Sequence, residues 1–173
     1  MGTARTTRTT AVDILELLET QHREVDALME QLEKREGDMR AAFTELADKL
    51  AAHAAVEERI FYPQTMSKDT SEILHESVEE HLAVKRVLAD MLTMELSSDD
   101  FAAKLSVLKE QVSHHAHEEE EGKLFPKLRA SLDPEQRAAL GNEVLALFEQ
   151  LMTKHPAQNV PSETAQAAPL PPA

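Results

Sequence analysis

The segment HHAHEEEEGKLFP, residues 114–126, sets three histidines and four glutamates within eight positions. Imidazole nitrogens and carboxylate oxygens form a donor set for Fe, Mn or Zn, whereas soft Cu(I) would want sulfur. A charge run of this kind also serves as the solvated face of a helix. Residues elsewhere in the chain decide between the two. His53 and Glu57 are four residues apart, as are His115 and Glu119. On an α-helix that spacing projects imidazole and carboxylate from one face. His115 would pair with Glu120 instead if the helix widened into a π-bulge, a common feature of functional sites.

Positioning such side chains requires long helices, and the apolar pattern supplies them. Val12, Leu15, Leu18, Val25, Leu28, Met29 and Leu32 follow i, i+3, i+4 spacing. REGD at 35–38 interrupts the pattern, with Gly37 as a C-terminal cap and Asp38 as an N-cap. A second helix is expected from Met39 to Phe61, stopping near Pro63. SKDTS at 67–71 is a turn, and a third helix follows from Ser71. SSDD at 97–100 caps a fourth, running toward Arg129. Asp133 and Pro134 start a shorter fifth. Residues 1–10 read as a flexible tail, 11–155 as the helical domain, and 156–173, rich in Pro and Ala, as a disordered tail. With short turns and no strand pattern, the expected fold is all-α: an up-down-up-down antiparallel four-helix bundle with a short fifth C-terminal helix.

In antiparallel helices, residues equidistant from a turn lie side by side, because both rise about 1.5 Å per residue. His22 and His53 are equidistant from the Gly37–Asp38 step, His53 and His81 from Ser67, and His81 and His115 from Ser98. All three midpoints fall on turns placed from caps and breakers, not from histidines. The fold therefore brings one imidazole from each of four helices to about one height. With the two carboxylates they make a nitrogen and oxygen ligand set for a pair of divalent or trivalent ions.

Composition narrows the alternatives. The 173 residues include no cysteine, which excludes disulfides, thiolate metal sites and cysteine nucleophiles. Asp and Glu outnumber Lys and Arg 32 to 18, for a net charge of −14, which disfavours nucleic acid and favours a cation. No apolar run is long enough to span a membrane. A soluble, cytoplasmic monomer or weak dimer is the expectation.

On these residues the chain resembles the hemerythrin-like, HHE cation-binding family. The matching segments are HREVDALMEQLE, HAAVEERIFYP, EEHLAVKRVL and HHAHEEEEGKLFP, within residues 11–130. The resemblance implies a non-haem di-iron centre, two iron ions (Fe2+/Fe3+) held by His22, His53, Glu57, His81, His115 and Glu119, or Glu120 in its place. It further implies that Glu57 and the fourth-helix carboxylate bridge the irons together with an oxo or hydroxo group; Mn or Zn are alternative occupants. Oxygen-carrying members have a second histidine one turn away on the third helix. Here Ser77 and Lys85 flank His81 at that spacing, and His75 is about 120° round the helix. One iron is thus short of a protein ligand, which favours chemistry with dioxygen, peroxide or nitric oxide over reversible oxygen carriage.

Four further residues are weaker candidates. Asp26, one turn from His22, is placed to orient that imidazole. Tyr62 is suited to ferric iron as a phenolate but points about 140° away from Glu57 on a regular helix. His114 flanks His115 at about 100°, and Glu120 belongs either to the metal or to the charged face. Functions open at this level are peroxide decomposition, in the manner of a catalase, and non-catalytic sensing or storage of oxygen, nitric oxide or iron. Ferritin-like iron storage is the alternative class, but its paired Glu-x-x-His motifs are absent from suitable faces.

Overall fold

The structure, a computed structural model, describes residues 12–173; the expected tail 1–10 lies outside them. The described chain is all-helical. Asp13 caps α1 (Ile14–Lys34) by accepting from the Leu15 N–H at 2.9 Å. Arg35, in the left-handed region at φ 54°, ends it, two residues before the expected cap at Gly37. Asp38 caps α2 (Met39–Val56) as its side chain predicts, accepting from Ala41 N–H at 3.0 Å.

The helix does not stop at Pro63. It passes through a π-helical segment, Glu57–Phe61, into α3 (Tyr62–Thr65). Within that segment the Tyr62 N–H reaches back five residues to Glu57 O. The widened turn gives the following proline a place where its missing donor and its ring are tolerated. The same device recurs later. Ser98 caps α5 (Asp99–Ser113), a second π-helical segment covers His114–Leu124, and Pro126 lies in α6 (Phe125–Ser131). Between the two comes α4 (Ser71–Met91). A capping box between Asp133 and Gln136 opens α7 (Pro134–Met152).

Helix α1 packs against α2, α5 and α7, while α4 packs against α5. Two apolar clusters form the interior. One holds Val25, Met29, Phe43, Leu46, Leu88 and Phe101; the other holds Leu15, Leu18, Phe61, Val78, Phe125 and Val144. Buried histidines come between them in sequence on four helical stretches: His22, His53, His81 and His115.

The expectation of a disordered C-terminal tail is not met. Residues Pro156–Glu163 form a 3-10 helix that buries Pro156, Ala157 and Val160 against α2 and α4. Three apolar side chains with a ready groove outweigh a composition that, by itself, disfavours order.

Candidate metal centre

His53 Nε2 lies 3.2 Å from Glu57 Oε1, and His22 Nε2 lies 3.1 Å from Glu120 Oε2. Neither contact is aligned as a hydrogen bond, so all four of these buried atoms lack a hydrogen-bond partner. On the other side of the two carboxylates, His81 Nε2 is 3.2 Å from Glu57 Oε2 and 3.0 Å from His115 Nε2. The ligand-type atoms thus fall into two groups that share Glu57: His22, His53, Glu57 and Glu120, and Glu57, His81 and His115. Within each group all lie within 4.8 Å of one another.

The outward nitrogen of every imidazole is held. His22 Nδ1 is 2.7 Å from Glu121 Oε1, and His53 Nδ1 is 2.7 Å from Gln21 Oε1. His81 Nδ1 is 3.1 Å from Glu58 Oε1, and His115 Nδ1 is 2.7 Å from Glu80 Oε2. Carboxylate and carbonyl oxygens only accept, so each Nδ1 carries its proton and donates. When a ring is neutral, that leaves its Nε2 lone pair aimed inward, the arrangement that orients metal-ligating histidines.

Charge is tightly coupled across the cluster. Burial works to lower the His22 imidazole, but the Glu120 and Glu121 carboxylates outweigh it and raise it to about 9. His115 is likewise disfavoured as a cation by burial, yet Glu120, Glu57 and Glu80 lift it to about 10. For His53 burial wins and pushes it down to about 3. Glu57, despite complete burial, is held well below the usual carboxylate range by His53, His115 and His81. Protons on His22 and His115 are therefore the counter-charges to Glu57 and Glu120 in the ion-free protein. Cations at the two foci would replace those protons and satisfy the orphaned atoms, so the donor set fits a pair of metal ions.

Of the expected ligands, His22, His53, Glu57, His81 and His115 come together. Glu119 does not: it turns to Lys123 and His114, and Glu120 takes its place. The reason is the second π-helical segment, which brings residues five apart onto one face. The repeat itself carried this signal. Glu57 precedes Pro63 by six positions, and counting back six from Pro126 lands on Glu120.

Tyr62 departs furthest from expectation. The first π-helical segment rotates it into the cluster, where its hydroxyl donates to Glu120 Oε1 at 2.9 Å. The same oxygen lies 3.2 Å from Glu57 Oε2, 3.3 Å from His81 Nε2 and 3.4 Å from His115 Nε2. Burial and the two carboxylates push its pKa well above the phenol's ordinary value. Asp26 does not orient His22; it pairs with His117 at 2.9 Å. His114 sits at the surface with Glu80 and Glu118. His75 is exposed and bonds the Ser71 carbonyl, so it is no substitute ligand. Gln21, Glu58 and Glu80 hold imidazoles in contacts that sequence reasoning missed, because helix-surface Glu and Gln are ordinary until a partner imidazole is found.

A small cavity of about 30 Å3 adjoins the imidazoles; its other lining residues include Val25, Leu50, Val84, Lys85, Leu88 and Val160. A water needs roughly 10–15 Å3 by this measure. The space therefore has room for two or three water-sized groups.

Helical packing around a buried histidine and carboxylate cluster has the donor set of a metal-binding protein. Its residues 13–128 match the family model described as the hemerythrin HHE cation binding domain, and the chain belongs to that family. It is also 27 % identical, over 149 residues, to a protein named DNA nickase from Nostoc sp. (strain PCC 7120 / SAG 25.82 / UTEX 2576). The alignment covers 83 % of this chain but only 41 % of that relative. No solved structure is significantly similar to the chain. Among the described residues no helix is long and apolar enough to cross a membrane.

Proposed function

We propose that this chain is a non-haem di-iron protein that binds or reacts with a small oxygen- or nitrogen-derived ligand: dioxygen, peroxide or nitric oxide. The observation that carries the reading is the set of four inward Nε2 atoms facing Glu57, common to both groups, and Glu120, with each Nδ1 anchored from behind. In this reading the four histidine-bearing helices form an up-down-up-down bundle. His22 and His53, with Glu57 and Glu120, would hold one ion, and His81 and His115, with Glu57, would hold the other. Tyr62 lies 3.3 Å from His81 Nε2 and 3.4 Å from His115 Nε2, and its hydroxyl is the group at hand for the second ion or for a proton to a bound ligand.

A pair of iron ions supplies the two-electron capacity that peroxide or dioxygen chemistry requires. The protein's part is different. Gln21, Glu58, Glu80 and Glu121 fix the imidazole tautomers, the apolar cavity keeps bulk water and large molecules out, and Tyr62 holds one proton beside the carboxylates. Peroxide decomposition is the catalytic form of this function, and stoichiometric sensing or storage the non-catalytic form. The alignment covers only 41 % of the relative named DNA nickase, and a net charge of −14 disfavours a polyanion, so nicking of DNA is not carried over from it.

Elemental analysis of protein produced with iron, beside its optical spectrum, tests the reading. About two irons per chain supports it. Trace metal, with a helical spectrum indifferent to added iron, would remove it. Peroxide consumed in large excess over iron then marks an enzyme, and a single stoichiometric spectral change marks a binder.

A further inference from the structure

Helices α2 and α4 barely touch, and the 3-10 helix Pro156–Glu163 fills the seam between them. Its Val160 is 1 % exposed and joins the apolar cluster of Leu50 and Ala51 on one side and Val84 and Leu88 on the other. Directly behind Val160 is the cavity beside His22, His53, His81 and His115. Every other residue lining it belongs to the histidine-bearing helical stretches; Val160 alone comes from outside them.

The segment is tied down at its ends. His155, left-handed at φ 51°, reverses the chain after α7, and its Nδ1 lies 2.9 Å from Asp48 Oδ2. Ala157 N–H donates to Asp48 Oδ1 at 3.1 Å. At the far end Lys85 Nζ is 3.2 Å from Glu163 Oε2, and the Arg86 guanidinium donates to the carbonyls of Thr164 and Ala165. Between these anchors the backbone holds itself weakly. A 3-10 helix has poor hydrogen-bond geometry beyond about four residues, and Pro156 and Pro161 each lack a donor. Burial of Val160 is what keeps the middle shut.

We propose that Pro156–Glu163 is the movable outer wall of the ligand cavity, and that Val160 is the residue controlling the size and rate of entry of ligands to the cluster. The proposal rests on the metal-centre reading for what lies behind the wall, but not for the wall itself. Lys85 links the two: its ammonium also contacts Glu58 at 2.8 Å, and Glu58 holds His81. Closure of the wall thereby bears on the orientation of one proposed ligand.

Full-length wild type, Val160→Ala and Glu163→Gln provide the test, with two readouts. One needs no metal: the rate at which diethyl pyrocarbonate modifies the buried histidines of metal-free protein, mapped by peptide mass. The other is the association rate of nitric oxide with ferrous-loaded protein, with iron per chain measured alongside. Val160→Ala should accelerate both about tenfold, the effect on the open fraction of losing two buried methyl groups. Glu163→Gln should produce a smaller rise, with iron content unchanged in each variant. Unchanged rates in both variants, at native melting temperature, overturn the proposal. If wild type binds no iron, the first readout decides alone: acceleration supports the wall while the di-iron reading falls, and no acceleration removes the wall as well.

Discussion

Loading the centre with metal should expel about two protons per chain near neutral pH. His22, raised to about 9, and His115, raised to about 10, are ~99 % and ~99.9 % protonated at pH 7. Each must give up that proton before its Nε2 can ligate. His53, pushed down to about 3 by burial, is already neutral and adds nothing. His81 is also raised, against its burial and the His115 charge, by Glu57 and Glu58, so two is a lower bound. The logarithm of apparent affinity should therefore climb with pH at a slope of about two above neutrality. It should flatten as His22 and then His115 deprotonate in the free protein. Zinc is the suitable probe, being redox-silent. A titration in weak buffer would count released protons, and chelator competition at several pH values would give the slope. Proton release near zero, with affinity independent of pH, would refute the assignment of His22 and His115 as charged partners displaced by metal. Stability supplies a second check. A raised histidine contributes stability that is complete below its unfolded pKa of 6.5 and is lost as pH rises through its folded value. Metal-free protein should thus melt progressively lower from about pH 6.5 to 10, whereas metal-loaded protein should not share that decline.

Glu120→Gln should weaken metal binding by more than the roughly 10–100-fold typical of losing an outer partner, while Glu119→Gln leaves it close to wild type; equilibrium dialysis of both against zinc compares them, and the reverse order would return the carboxylate to Glu119. Glu80→Ala, which frees His115 Nδ1, should cost about 10–100-fold in affinity, and Glu80→Gln, which still accepts that hydrogen bond, should recover most of it. Equal losses in the two would show that Glu80 acts by charge alone. Gly141→Ala places a Cβ 1.9 Å from the Val12 carbonyl oxygen, where α7 crosses the start of α1. Overpacking of about 1–3 kcal/mol should exceed the gain in helix propensity and lower the melting temperature by several degrees, as thermal unfolding followed by circular dichroism would record. A rise in melting temperature would mean that the two helices separate easily.

Much of this protein follows from local rules in its sequence. Asp13, Asp38, Ser98 and Asp133 cap helices because their side-chain oxygens satisfy the first free N–H groups, whatever lies further off. Turns placed by those caps, with a constant rise per residue, suffice to set His22, His53, His81 and His115 at one height and to name Glu57 beside His53. Tertiary structure decided the remainder. Whether a helix widens by one residue depends on how its surroundings compensate for an imperfect ladder, so the π-helical segments alone determined that Glu120 and Tyr62 face the cluster and Glu119 does not. The outer partners Gln21, Glu58, Glu80 and Glu121 are legible only once a neighbouring imidazole is in place. Order in Pro156–Glu163 likewise comes from the seam between α2 and α4, because a Pro-rich segment with few donors of its own is held by the surface it covers.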